Sequence, residues 1–261
     1  MKYENGVGFE KDYKKAVEWY QKAIDNGNDE ALEMLGNCYK NGIGVSKNLS
    51  KAVELYQKAA YKGDVVAMRL LGVCYQKGLG VSKNYSKAVE LYQKAIDNDD
   101  EISMRFLGVC YEEGLGVSKD YSKANELYQK AADKGDAKSM LFLAINYGNG
   151  IGFRVNKSKS FEYCKKSVDA AAAADDDDDD GDAAALRMLA KFYEDGNVVQ
   201  QNYSKANEYY KKAADLGDAE SMKCLAVNYE SGNGFPTSQE KAFEYFQKAA
   251  DKNLPFAAFA L

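Results

Sequence analysis

A period of 36 residues runs through the chain and constrains its fold more than any other feature. A leucine followed by glycine or alanine recurs at that interval, and so does a small residue that follows a lysine. Both landmarks lengthen the step once, to 46 residues, which places an insertion of ten residues near 170–180. The leucines are Leu35, Leu71, Leu107, Leu143, Leu189 and Leu225, and the small residues are Ala16, Ala52, Ala88, Ala124, Ser160, Ala206 and Ala242. A period in this range is typical of repeat proteins, whose units bury their apolar faces against their neighbours.

Each unit has the pattern of two helices, A and B, joined by a turn. In residues 64–96, one apolar stripe at helical spacing begins at Ala67, and a second begins at Ala88. Gly78 and Gly80 lie between the stripes and favour a turn. Residues 1–261 are therefore predicted to form one all-α array of about seven helix-turn-helix units.

Residues that cap helices recur with the same period. Side chains of Asp, Asn and Ser satisfy backbone N–H groups at a helix start. The predicted caps of helix A are Asn28, Asp64, Asp100, Asp136, Asp182 and Asp218, and those of helix B are Asp12, Asn48, Asn84, Asp120, Asn156, Asn202 and Ser238. The residue before the helix A cap is glycine in most units, at Gly27, Gly63, Gly135, Gly181 and Gly217, which suits a left-handed end of helix B. Asp99 departs from this rule and predicts a weaker junction.

Both ends of the chain interrupt the pattern. Tyr3 aligns with Tyr39, so most of the first helix A is missing, and residues 254–261 resemble the opening of another helix A. Solenoids normally end in polar capping repeats. These incomplete first and last repeats predict a fragment of a longer array.

Composition excludes several classes of function. The chain has no histidine, which removes the commonest general base and metal ligand, and we predict no cofactor, no metal and no catalysis. The net charge of −5 is concentrated in the acidic segment 175–182, and no basic block predicts binding to nucleic acid. No apolar run is long enough to span a membrane. The five cysteines do not form a disulfide pattern, and Cys38, Cys74 and Cys110, which share one repeat position, are predicted to be buried apolar residues. This favours a cytoplasmic protein; the endoplasmic reticulum lumen stays open if a signal peptide precedes this fragment.

The repeat resembles the Sel1-like repeat family, a relative of the tetratricopeptide repeat. The matching residues of one unit are Ala67, Leu71, Gly72, Tyr75, Gly78, Gly80, Val81, Asn84, Lys87, Ala88, Leu91, Tyr92, Lys94 and Ala95. Tetratricopeptide repeats have a period of about 34 residues and lack the Gly-x-Gly loop. The resemblance implies a right-handed α/α superhelix whose A helices line a concave surface, and it implies adaptor roles. Two departures, Val198 at the second loop glycine and Cys164 at the core tyrosine, predict looser packing beside the insertion.

The outward side of helix A is the candidate binding face. Positions spaced i, i+4 and i+7 share this side. The first two carry a basic and an apolar series that suit an acidic or amphipathic peptide; the third, from Lys40 to Glu230, partly offsets the charge. The candidate residues are Arg69, Val73, Arg105, Val109, Leu141, Ile145, Arg187, Lys191, Lys223 and Val227. Equally open is a structural role, in which the arginines pair with glutamates of the same face and the valines pack between adjacent A helices.

Three other motifs have simpler interpretations. The Ala/Asp run at 171–182 is predicted to be a solvated surface loop. Four Asn-x-Ser/Thr sequons coincide with predicted helix B caps. Ser238 and Lys241 match a Ser-x-x-Lys motif of penicillin-interacting enzymes, but its companion motifs are missing.

The sequence therefore predicts a non-enzymatic scaffold that binds a partner peptide or helix along the concave helix A surface. Two alternatives remain: a regulatory or spacer segment of a larger protein linked to a kinase or ubiquitin pathway, and a cell-wall-related hydrolase.

Overall fold

A computed structural model describes residues 12–173 and 179–252 of the chain. All regular secondary structure in these two stretches is helical, which confirms the predicted all-α repeat fold. The helices are α1 (Tyr13–Asp25), α2 (Ala31–Asn41), α3 (Leu49–Tyr61), α4 (Val65–Lys77), α5 (Tyr85–Ile96), α6 (Glu101–Glu113), α7 (Tyr121–Asp133), α8 (Ala137–Asn149), α9 (Lys157–Ala171), α10 (Asp179–Asp195), α11 (Tyr203–Asp215), α12 (Ala219–Ser231) and α13 (Gln239–Asp251).

The chain divides into two compact units, Met1–Lys130 and Ala131–Leu261. In the first, α1 is a helix B, and the A helices α2, α4 and α6 alternate with B helices. In the second, the A helices are α8, α10 and α12, and α9, α11 and α13 are B helices. Within each unit every helix packs on the next, so the core is a row of small clusters and not one centre.

A buried tyrosine joins helix A to helix B in four of the repeats. Tyr56, Tyr92, Tyr128 and Tyr210 are each fully buried. In the first three, the ring lies on the glycine of the Leu-Gly pair, where a Cβ would stand 2.5 to 2.6 Å from a ring carbon. The glycine thus sets how closely the two helices approach.

Four loop glycines join a repeat to the one before it. Gly80 has φ +69°, and a Cβ there would lie 2.3 Å from the carbonyl carbon of Leu49, at the start of the previous helix B. Gly44, Gly116 and Gly234 make the corresponding contact with Tyr13, Tyr85 and Tyr203. Only glycine meets both conditions, a left-handed backbone and contact with another backbone.

Most of the predicted caps are confirmed. Asp64 accepts a hydrogen bond from the backbone N–H of Ala67, and Asn84 accepts one from Lys87. The same arrangement is present at Asp12, Asn48, Asp100, Asp120, Asp136, Asn156, Asn202, Asp218 and Ser238. The four sequon asparagines are therefore helix caps.

Two predicted caps are wrong. Helix α2 begins at Ala31 because Asn28 accepts from the N–H of Glu30, only two residues on, and holds a turn outside the helix. Helix α10 begins at Asp179, so Gly181 and Asp182 lie inside its first turn, and the end of the acidic run is helical. Negative charge is favoured at a helix N-terminus, which explains the longer helix. The rest of the run, at 174–178, lies outside the described residues, as do Tyr3 and residues 254–261.

Asp99 adopts the backbone conformation of the glycines that it replaces. Its φ is +70°, the sole positive value among non-glycine residues in the described stretches, and Gly27, Gly63, Gly135 and Gly217 have values of +82° to +100°. A residue with a Cβ pays an energetic penalty in this region. The predicted irregularity is thus located in the backbone of Asp99.

We expect Gly80→Ala to destabilise the protein more than Gly63→Ala. Both glycines have positive φ, but a Cβ at Gly63 meets nothing within 4 Å. The strained backbone alone costs about 1–2 kcal/mol, and the contact with Leu49 should raise the loss at Gly80 to about 3 kcal/mol. Urea unfolding followed by circular dichroism measures both variants. Equal losses of unfolding free energy in the two variants would show that the contact between Gly80 and Leu49 tolerates a Cβ.

We also expect Asp99→Gly to stabilise the protein, by about 0.5–1 kcal/mol, because it relieves a left-handed backbone. The control is Asp97→Gly, two residues earlier, where φ is −62° and glycine brings no relief. Urea unfolding should show a higher midpoint for Asp99→Gly alone. A higher midpoint for both variants, or for neither, would contradict this assignment of strain.

Candidate partner-binding face

The outward residues of the A helices form the face that the sequence singles out, called here the helix A face. In the first unit it comprises Arg69 and Val73 of α4 and Arg105 and Val109 of α6. In the second it comprises Leu141 and Ile145 of α8, Arg187 and Lys191 of α10, and Lys223 and Val227 of α12. Each unit presents its own part of the face.

Two arginines of the face pair with the cap of the next helix A. Arg69 donates to the carboxylate of Asp100, whose other oxygen caps α6 at Ser103. Arg187 lies 3.5 Å from Asp218, which caps α12 in the same way. In each case the partner lies 31 residues ahead in the chain, not on the same helix. These arginines therefore help to join consecutive repeats, and the partners differ from the glutamates that the sequence suggested.

The degree of exposure separates these two arginines. The Arg69 side chain retains 17% of its accessible surface and Arg187 retains 39%. A buried pair loses more from the removal of one partner than an exposed one does. Arg69 is thus mainly structural, whereas Arg187 remains reachable.

The remaining cations keep neighbours of their own. Arg105 stacks over the ring of Phe106, at 5.2 Å from its centroid. Lys191 donates to Glu194 at 2.7 Å and lies 3.1 Å from Asp195, and these hydrogen bonds raise its pKa. Lys223 lies 3.7 Å from Glu220. Lys191 is 59% exposed and Lys223 35% exposed, whereas Glu194 retains only 17% of its side-chain surface. The pairs of Lys191 with Asp195 and of Lys223 with Glu220 are exposed on both sides, and pairs of this kind separate at little cost.

The apolar positions differ in how much surface they present. Val73 and Val109 are half-buried, and Val73 packs on the core cluster of α3, α4 and α5. Ile145 is half-buried, and Val227 is 42% exposed. Leu141 retains only 9% of its surface, so it belongs to the core. The second unit therefore has the most accessible apolar residue of the face.

The third position of the face has a role that sequence reasoning missed. The Tyr92 hydroxyl donates to Gln76, that of Tyr128 to Glu112 and that of Tyr210 to Glu194. Burial raises the pKa of all three tyrosines. The sequence signal that could have revealed this role is a fixed spacing of 16 residues between the acceptor and the tyrosine. These polar residues satisfy buried hydroxyls as well as offsetting basic charge.

Cys38, Cys74 and Cys110 are buried, as the sequence predicted, and so is Cys164, whereas Cys224 is half-buried. None of the five is in a disulfide. Burial raises the pKa of Cys110 to about 11 and that of Cys164 to about 12. At neutral pH these two therefore remain protonated and unreactive.

The Ser-x-x-Lys motif has a structural role, and no metal-binding cluster is found where the structure describes the chain. Ser238 of the Ser-x-x-Lys motif caps α13 and accepts from the backbone N–H of Lys241 at 3.3 Å. Residues 12–173 and 179–252 contain no cluster of acidic and cysteine side chains suited to a metal ion. None of their helices combines the length and apolarity that a membrane span requires.

Several solved structures are similar to the chain over most of its length. A protective antigen present in uropathogenic Escherichia coli strains is 31% identical with a TM-score of 0.76; the match covers 98% of this chain and 53% of the antigen. The chain thus spans about half of that protein. A Sel1 repeat protein from Oxalobacter formigenes is 28% identical with a TM-score of 0.77, and 91% of each chain is covered. An immunity protein from Pseudomonas aeruginosa is 25% identical with a TM-score of 0.52, covering 78% of this chain and 75% of that one.

No curated protein sequence matches the chain. The family model described as the Sel1 repeat matches it seven times, at residues 3–28, 29–64, 65–100, 102–136, 137–171, 183–218 and 219–254. These matches account for most of the sequence, including both sides of the insertion, and they agree with the helix pairs of the structure. The chain belongs to the Sel1 repeat family.

Proposed function

We propose that this chain is a non-enzymatic scaffold that binds an amphipathic peptide or helix of another protein on its helix A face. Sel1 and related helical repeats expose extended surfaces that suit protein–protein contact. The observation that carries the proposal is the composition of the face in the second unit. There Val227 is 42% exposed on α12, the helix that also carries Lys223, and the exposed Lys191 lies on α10.

Electrostatics indicate the kind of partner. Lys191 and Lys223 are held by carboxylates of their own helices and remain partly exposed. An acidic residue of a partner can join the exposed pairs of Lys191 with Asp195 and of Lys223 with Glu220 with little loss, because these charges are already partly hydrated. We therefore propose an amphipathic segment with apolar residues toward Val227 and acidic residues toward the two lysines. The same paired cations offer little to a nucleic acid backbone.

The cysteines suggest the compartment. Five cysteines that form no disulfide suit a reducing environment, so we propose a cytoplasmic location. The similarity to an immunity protein does not identify the partner of this chain.

We expect the triple variant Lys191→Glu, Lys223→Glu and Val227→Glu to lose partner binding. Its helices should persist, because all three side chains lie on the outer side of their helices. The measurement is affinity capture from cells of the source organism, followed by titration of the purified captured partner. The dissociation constant should rise by at least about tenfold, equivalent to 1.4 kcal/mol.

The control is the triple variant Lys166→Glu, Lys248→Glu and Phe243→Glu on B helices. Lys166 and Lys248 also lose exposed ion pairs, and Phe243 is 52% exposed, so the change in charge and apolar surface is matched. This control should bind the partner as the unmodified protein does. Equal binding by both variants, or equal loss in both, would refute the helix A face as the site.

A further inference from the structure

The repeat formed by α8 and α9 lacks the buried tyrosine of its neighbours. At this position Tyr56, Tyr92, Tyr128 and Tyr210 are fully buried, but α9 has Cys164. Cys164 is also fully buried, and its thiol donates to the carbonyl oxygen of Ala185 at 3.2 Å. A short side chain therefore occupies the inner part of the space that an aromatic ring fills elsewhere.

The hydrogen-bond acceptor of that tyrosine is missing as well. Gln76, Glu112 and Glu194 each accept from a tyrosine 16 residues later. In the repeat of α8 and α9, the residue 16 positions before Cys164 is Gly148, which has no side chain to offer. The tyrosine ring and the side chain that would accept from its hydroxyl are therefore both absent from this repeat.

A cavity of about 200 Å³ opens in the second unit at Gly148, the position of the missing acceptor, and Cys164 is not part of its lining. It is bounded by α8, α9 and α10, and its lining includes Gly148 and Ser160. Met188 also lines it, at the position in α10 that corresponds to Phe106 in α6, whose ring stacks on Tyr92 at 5.4 Å. The cavity therefore lies against the place where the ring and hydroxyl of a tyrosine are found in other repeats.

Size and lining both suit a phenol. An engineered protein cavity of about 150 Å³ holds benzene, so the space is sufficient for a ring. Met188 and Phe192 supply an apolar wall, and thioether and aromatic groups pack well on rings. Asn149, Asn197 and Asp195 are exposed at the border and offer hydrogen-bond partners to a hydroxyl.

We propose that this cavity, called here the α8–α10 pocket, binds a tyrosine side chain supplied by a partner protein. Lys191 belongs both to the pocket and to the helix A face, so the pocket is continuous with the face. The proposal deepens the binding function proposed above and rests on it for the identity of the ligand. Aromatic side chains that fill pockets of this kind are typical anchors of protein interfaces.

The test uses p-cresol, which is the side chain of tyrosine as a free molecule. The protein is labelled with ¹³C at the methionine methyl groups, and the Met188 signal is assigned with the variant Met188→Leu. Titration should shift the Met188 methyl signal saturably, with a dissociation constant in the millimolar range. Toluene, which lacks the hydroxyl, should bind several-fold more weakly.

A filled variant provides the control. Cys164→Tyr with Gly148→Glu reproduces the combination of Ala190, Tyr210 and Glu194 in the following repeat, because Ala144 already corresponds to Ala190. In this variant p-cresol should no longer shift Met188. Should it fail to fold, Gly148→Gln serves instead, because a side chain there enters the pocket beside Ser160, whose hydroxyl would lie 2.9 Å from the new Cβ.

The outcomes separate the two proposals. A Met188 signal that p-cresol does not shift, or shifts equally in the filled variant, overturns the pocket even if the face variant loses its partner. A saturable shift that filling abolishes supports the pocket, even if partner capture proves independent of Lys191, Lys223 and Val227. Loss of the captured partner from the filled variant would support both.

Discussion

The contact of a tyrosine ring with a small residue of the facing helix is the interaction on which four of the repeats depend. Neither helix of a repeat is apolar enough to be stable alone, and the ring of Tyr92 on Gly72 gives them one shared interior. The glycine allows the close approach, and the hydroxyl finds an acceptor at Gln76. Helix spacing, burial of the ring and satisfaction of its one polar atom are therefore parts of the same contact.

Contacts between repeats use different chemistry from contacts within them. Gly80 lies on the backbone of Leu49, and Arg69 reaches the carboxylate that caps α6. The carboxylate of Asp100 thus has two tasks, since one oxygen holds the start of its own helix and the other binds the preceding helix A. A substitution there would weaken a helix terminus and a seam together. Conservative changes at such shared groups have effects that do not add simply.

The sequence predicted the fold well because its signals are local and periodic. Leu71, Asp64 and Asn84 mark a core position and two helix starts by spacing alone, and the structure confirms them. Prediction was wrong at Asn28 and Asp182, where the neighbouring sequence changes the length of the helix.

For the helix A face, the period indicated the candidate residues but not the residues with which they pair. Arg69 pairs with a residue 31 positions away, and Leu141 is buried. Looser packing was expected beside Cys164. The significance of Gly148 could not be predicted, because the residues that accept from the tyrosine hydroxyls in other repeats are known only from the structure.

Nearest-neighbour packing also has a genetic consequence. Residues 78–97 and 114–133 are nearly the same sequence, and Gly80 and Gly116 make the same kind of contact with the preceding helix B. Misaligned recombination between two such stretches would add or remove one whole 36-residue repeat while keeping the caps, loop glycines and tyrosine contacts in register. The array can therefore change length by whole repeats, because each added repeat keeps the contacts that hold it to its neighbours.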